Sequence, residues 1–218
     1  MLAAWLKSAA GPTRVEYDHL FEAGSGANTT VYSLTGVNIG SATSHRVVSM
    51  VCGNDLSGTN TPASAVTVDG VSSTLLASGT NGTTNVAIFI TNSETTATAG
   101  TVVTTFPSTQ ERFTINCFEL IGVASITPID TVTQTESGDP NISTVDGGIL
   151  LGACFMDGGT YTGTLNRNFD FVEATTIETR RSVNGVKQTT GAGDFTDNAS
   201  VNWLSTPSNP VYVYVSLR

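Results

Sequence analysis

The stretch Val211–Leu217 has the sequence VYVYVSL, and its two-residue repeat indicates the fold class. Three valines and Leu217 alternate with two tyrosines and Ser216. Successive side chains of a strand point to opposite faces, so this pattern predicts a strand with one aliphatic face. Gly148–Met156 (GILLGACFM) is almost continuously apolar instead, which is typical of a strand covered on both faces.

Similar short runs recur along the chain from Val15 onward, separated by turn signals such as DG, NG, SG and GG. No fixed-period repeat is present, which disfavours solenoids and propellers. Many short strands with turn punctuation predict an all-β fold, a two-sheet antiparallel sandwich of jelly-roll type that forms a single domain over residues 15–218. The predicted strands are Glu16–Phe21, Thr29–Ile39, His45–Cys52, Ala65–Val68, Ser72–Ala77, Thr84–Thr91, Thr101–Phe106, Arg112–Ile121, Asp130–Thr135, Gly148–Met156, Asn168–Ile177, Arg180–Gln188, Ala199–Leu204 and Val211–Leu217.

The first fourteen residues differ from the rest and predict a short helical arm. Leu2, Trp5, Leu6 and Ala9 form one apolar stripe at helical spacing, and Gly11–Pro12 ends it. A helix of this length is marginal in water unless it packs on a surface. We therefore expect a docking arm over residues 1–14, with Leu2, Trp5 and Leu6 as its buried face. The surface is either a neighbouring protein or the chain's own sandwich.

The apolar run LAAWL is too short for a secretory signal or a bilayer span. The sequence thus predicts no membrane contact.

The charge balance excludes one large class of function. The net charge is −9, and Lys7 and Lys187 are the two lysines. A surface that follows phosphates needs clustered Lys and Arg, so the sequence predicts no nucleic-acid binding. Charged residues are 12% of the chain, and Thr, Ser, Asn and Gly supply the polar surface. Burying a hydroxyl or an amide costs less than burying a charge, so this composition suits surfaces that neighbours will cover.

The sequence offers weak candidates for catalysis, and we expect no enzyme. Glu16, Asp18 and Glu22 resemble the carboxylate signature of laminarinase-like sandwiches, although the spacing is one residue too long. On a regular strand the three would share a face, and a charged edge that blocks aggregation explains them better. His19 and His45 are far apart and fit no metal motif.

The cysteines and the glycine pairs also have structural interpretations. Cys52, Cys117 and Cys154 lie in apolar runs without C-x-x-C spacing, which indicates buried, reduced thiols. One disulfide plus a free thiol is the alternative. Gly24–Gly26 and Gly191–Gly193 lack the strand-to-helix setting of a phosphate loop.

The sequence contains residues of the types used in two kinds of ligand site. Asp194, Asp197 and Asn198 share one loop, and Asp139 and Asn141 share another. Such oxygen-rich loops could hold Ca²⁺, but turn-shaping residues explain them better, and we expect no metal or cofactor. Tyr161 and Trp203 are the candidates for stacking on a glycan or anchoring an interface.

The segment from about residue 45 to 157 resembles a β-sandwich type common in bacteriophage virion proteins. The matching runs are SHRVVSMVCGND, SAVTVDGVSSTLLASGTNGTTNVAIFITNSETTATAGTVVTTF, FTINCFELIGVASITPID and GGILLGACFMDGG. The resemblance implies a non-enzymatic structural protein of the virion, above all a capsid decoration (cement) protein. Its partners would be the major capsid protein, other virion proteins and copies of itself, and its location the virion, assembled in the host cytoplasm. The alternative is a carbohydrate- or receptor-binding module of a head or tail fibre or spike, with a host surface glycan as ligand.

Overall fold

A computed structural model describes residues 14–55, 60–136, 141–157, 164–165, 169–177, 180–190, 193–195, 201–202 and 208–218. These ranges contain strands and turns and no helix. The strands are β1 (Glu16–Ser25), β2 (Thr29–Asn38), β3 (Arg46–Asn54), β4 (Ala65–Val68), β5 (Val71–Asn81), β6 (Thr84–Thr91), β7 (Ala99–Gln110), β8 (Arg112–Ile121), β9 (Asp130–Gln134), β10 (Ile142–Thr144), β11 (Ile149–Asp157), β12 (Thr164–Leu165), β13 (Phe171–Ile177), β14 (Arg180–Gln188), β15 (Gly193–Phe195), β16 (Val201–Asn202) and β17 (Ser208–Leu217).

The first eight strands form one long hairpin that rolls up. β1 pairs with β8, β2 with β7, β3 with β6 and β4 with β5, all antiparallel. Further pairing gives one sheet in the order β1-β8-β3-β6-β5-β4-β7-β2. The sheet folds over at β5, whose first two residues pair with β4 and whose remainder pairs with β6. The half β1-β8-β3-β6 thereby faces the half β4-β7-β2 across a shared core.

Aromatic side chains from both halves fill that core, which we call the hairpin core. Tyr32 of β2 stacks on Phe113 of β8, with ring centroids 4.2 Å apart. Phe106 of β7 meets both rings edge-on, a geometry that the ring quadrupole favours. Burial raises the pKa of Tyr32 to about 12. Its hydroxyl oxygen lies 2.7 Å from the carbonyl oxygen of Ala27 and 2.8 Å from that of Gln110, so its single proton has an acceptor.

The remaining large strands form a five-stranded antiparallel sheet in the order β13-β14-β11-β17-β9. This sheet packs on the outer face of the β1-β8-β3-β6 half. Met50 and Phe118 from the first sheet meet Phe155 and Val213 from the second in a core that we call the inter-sheet core. β3, β6 and β8 are therefore covered on both faces, because each lies between the two cores.

The sequence predicted the all-β class and most strands correctly. The bounds of β4, β6, β8 and β14 are those expected. β11 is buried along nearly its whole length, as its continuous apolar run indicated. The short strands β10, β12 and β15 were not predicted. The expectation of two sheet layers is incomplete, because the eight-stranded sheet itself supplies two layers and the five-stranded sheet supplies a third. The predicted arm, residues 1–14, lies outside the described residues except for Arg14.

The structure contains a β-bulge at Leu20. β1 pairs with β8 without interruption up to His19, which lies opposite Phe118, and resumes with Phe21 opposite Cys117. Leu20 is the extra residue. The apolar positions of β8 also change phase at this level, although β8 pairs with β3 without a register shift. Its odd positions up to Cys117 face the hairpin core, and Phe118 and Leu120 face the inter-sheet core.

Candidate interaction surface

The residues predicted to make contacts lie outside the described part of the chain. This applies to Leu2, Trp5 and Leu6 of the arm and to Tyr161 and Trp203. Their roles remain predictions. Asp139, Asp197 and Asn198 of the two oxygen-rich loops also lie outside the described residues, and Asn141 is exposed.

The bulge at Leu20 separates the carboxylates that resembled a glycosidase signature. Glu16 and Asp18 lie opposite Ile121 and Glu119 of β8, whereas Glu22 lies opposite Asn116. Odd and even positions of β8 point to opposite faces, so Glu22 points away from the side shared by Glu16 and Asp18. The expectation that all three share one face is wrong. Glu22 instead approaches His19, with 3.5 Å between Oε2 and Nε2.

The other histidine belongs to a buried polar cluster beside the β2–β3 loop. His45 is 1% exposed. Its Nδ1 lies 2.7 Å from the carbonyl oxygen of Thr43, and its Nε2 lies 2.8 Å from that of Ile39. A carbonyl oxygen only accepts hydrogen bonds, so each contact is a hydrogen bond when the facing ring nitrogen carries a proton.

The carboxylate of Glu119 lies 3.5 Å from His45 Nδ1. It also accepts hydrogen bonds from the Ser41 amide, at 3.1 Å, and from the Ser41 hydroxyl. The cluster therefore ties the β2–β3 loop to β8. Both side chains are almost fully buried, so the cluster fits a structural contact between the loop and β8 better than a catalytic site.

The three thiols are buried and free, as the sequence indicated, and no disulfide joins them. Burial raises the pKa of Cys52 and of Cys117 to about 12. Burial also raises the pKa of Cys154 well above its ordinary value. The thiolate is the nucleophilic form of cysteine, so these groups are poor nucleophiles at neutral pH.

Within the described ranges, no group of three or more His, Cys, Asp or Glu side chains is placed to hold a metal ion. The same ranges contain no helix long and apolar enough to cross a membrane.

The outer face of β4-β7-β2 is an uncharged surface among the described residues. None of the residues of these three strands is charged. Val31, Ser33 and Thr35 of β2 point outward, and Tyr32 between them points into the hairpin core. The outward residues of β7 are Thr101, Val103 and Thr105, and those of β4 are Ala65 and Thr67. We call this set of eight side chains the uncharged face.

Register aligns the uncharged face in rows across the strands. Val31 lies opposite Thr105, which lies opposite Ala65, and Ser33 lies opposite Val103, which lies opposite Thr67. Val31 is 46% exposed. In a chain of net charge −9, this face is a place where another protein can pack without desolvating a charge. The lack of charge in TTVYSLTGVN was visible in the sequence, but its position beside β7 was not.

Comparisons with protein-family models, curated proteins and solved structures gave no match.

Proposed function

We propose that this chain is a non-enzymatic structural protein of a bacteriophage virion that decorates the assembled head. The observation that carries the proposal is the uncharged face of β4-β7-β2. The side chains of this face are small or medium in size, most of them are Thr or Val, and none is charged. Such a surface can be covered by a partner at low desolvation cost, which suits a subunit that works by packing against a shell.

The topology supports the same proposal. The nested pairing of eight strands, with halves β1-β8-β3-β6 and β5-β4-β7-β2, supports a jelly-roll assignment for residues 15–121. Jelly rolls occur in viral capsid proteins and in lectins. A fold alone does not determine function, so the fold raises the plausibility of a virion role without selecting it over sugar binding.

The mechanism of a decoration protein is stabilisation by binding. A subunit that binds the assembled shell and not its free building blocks shifts the assembly equilibrium toward the shell. Repeated sites on one particle add avidity. The partners would be the major capsid protein and further copies of this chain, and the location would be the virion. The buried free thiols agree with assembly in the reducing host cytoplasm.

Mass spectrometry of gradient-purified particles tests the proposal. Peptides of this chain should be found in particles from the source phage, in a fixed ratio to the major capsid protein that survives repeated banding. Absence from intact particles, or presence only in the unassembled fraction, would refute it.

The sugar-binding alternative remains a prediction based on Tyr161 and Trp203. Neither residue belongs to the described part of the chain, so no observed contact favours it.

A further inference from the structure

The rolled sheet does not close into a barrel, and its open side forms a seam. β1 and β2 follow each other in the chain but lie at opposite ends of the sheet order. Within the described ranges, neither strand pairs with another on its outer edge. An unpaired edge offers backbone donors and acceptors to another chain.

Apolar side chains line this seam and are incompletely covered. Leu20, Phe21 and Ala23 of β1 and Leu34 and Val37 of β2 pack against the hairpin core while remaining partly exposed. The hairpin core is thus less protected here than under the uncharged face, where Val66, Val102 and Phe106 are buried. Apolar surface at an unpaired edge is a docking position for a further segment.

The charge around the seam indicates which segment fits. Glu16 and Asp18 are exposed on the seam side of β1. Residues 1–13 carry Lys7 and no Asp or Glu, in a chain whose net charge is −9. They also carry the apolar residues Leu2, Trp5 and Leu6. This segment therefore complements the seam in both charge and polarity.

We infer that the seam of one copy receives residues 1–13 of a second copy, which links neighbouring subunits. The inference rests on the proposed function, because it describes how decorating copies would join. Thirteen residues span about 20 Å as a helix and up to about 43 Å when extended, and the apolar stretch Leu20–Ala23 of β1 occupies about 10 Å of strand. The segment is therefore long enough to cover the seam of a neighbour.

The attachment of β1 favours a neighbour over the chain's own seam. The Val15 amide donates to the carbonyl oxygen of Gly147, at 2.8 Å, and the Val15 carbonyl accepts from Gln188 Nε2, at 2.8 Å. The Val15 side chain lies in the inter-sheet core. The chain thus enters β1 from the side of the five-stranded sheet, whereas the seam opens on the other face of β1.

Thiol cross-linking between two full-length variants tests the inference. One carries Trp5→Cys and the other carries Val37→Cys, and the two are mixed with a short bismaleimide. The native thiols are buried and react poorly, so products report the introduced pair. We expect a covalent dimer of one copy of each variant. Leu75→Cys, at a site 45% exposed on β5, replaces Val37→Cys as the control and should give little dimer.

Two outcomes would overturn the inference. In the first, the double variant Trp5→Cys/Val37→Cys forms a cross-link within single chains and the mixture of single variants gives no dimer. That result would place the segment on the seam of its own chain. In the second, no cross-link forms in either experiment. Neither outcome touches the proposed function, which fails only if the chain is absent from particles.

Charge reversal provides a second measurement. Glu16→Lys combined with Asp18→Lys should slow cross-linking by about tenfold at low salt. Glu22→Lys, which lies on the opposite face because of the bulge, should change the rate much less. Equal effects of the two replacements would contradict the assigned binding side.

Discussion

His45 and Glu119 meet in a buried contact, with 3.5 Å between Nδ1 and Oε1, that joins the β2–β3 loop to β8. Each partner is also held by the loop. The Ile39 and Thr43 carbonyl oxygens lie at hydrogen-bond distance from the imidazole ring, and Ser41 donates to the carboxylate. The loop connects the two halves of the rolled sheet, so the pair helps to fix one half relative to the other.

Removal of the carboxylate charge tests this role. Glu119→Gln replaces the charged acceptor of the two Ser41 hydrogen bonds by a neutral amide in a site closed to water, and we expect a loss of about 1.5–3 kcal/mol in the free energy of unfolding. Urea unfolding monitored by fluorescence measures it. Glu94→Gln is the matched control, because Glu94 is exposed and accepts from Ser44 of the same loop. A similar small effect for both variants would contradict the structural role of the pair.

Gly40 is required by the same cluster. Its φ of +135° is one that side-chain-bearing residues rarely adopt, and a Cβ at this position would overlap the His45 ring. We expect Gly40→Ala to destabilise the fold clearly more than Gly36→Ala. Gly36 also has a positive φ, of +68°, but open space around the added carbon. Equal losses in the free energy of unfolding, measured in urea, would show that the His45 ring moves at little cost to make room for the added carbon.

The buried thiols predict a loss of stability at alkaline pH. The unfolded chain ionises its thiols near pH 9, whereas Cys52 and Cys117 have pKa values of about 12 when folded. A pKa raised by folding stabilises the fold fully below the unfolded value and progressively less as the pH rises toward the folded value. The free energy of unfolding should therefore fall between pH 9 and 12, with Tyr32 contributing above pH 10.

Denaturant unfolding at pH 8 and pH 10.5 measures this fall. Cys117→Ala should lower the free energy of unfolding at both pH values. The fall in this free energy from pH 8 to pH 10.5 should be smaller than in the wild type, because one ionising thiol is gone. An unchanged difference would contradict the assignment. In native protein at pH 8, a thiol reagent should react with the cysteines far more slowly than in urea.

The sequence was sufficient for local features of this fold. Alternation in VYVYVSL and the continuous apolar run of β11 identified strands, because burial on one or two faces leaves its pattern in neighbouring residues. The thiols were also assigned correctly, since Cys52 and Cys117 lie inside apolar runs.

Features that depend on distant pairing were not predicted. The bulge at Leu20 has no glycine or proline to mark it, so Glu22 was assigned to the wrong face. The uncharged face exists because β2 pairs with β7, more than sixty residues away along the chain. The link from His45 to Glu119 likewise joins residues that only the rolled topology brings together.

Co-sedimentation with phage particles assembled without this chain tests most directly whether the uncharged face binds the virion. Wild-type protein should bind saturably, and Val31→Lys should abolish binding while leaving the unfolding midpoint nearly unchanged. Leu75→Lys is the control, because Leu75 is 45% exposed against 46% for Val31, and it should bind as the wild type does. Undiminished binding of Val31→Lys, or no binding of the wild type, would contradict the account.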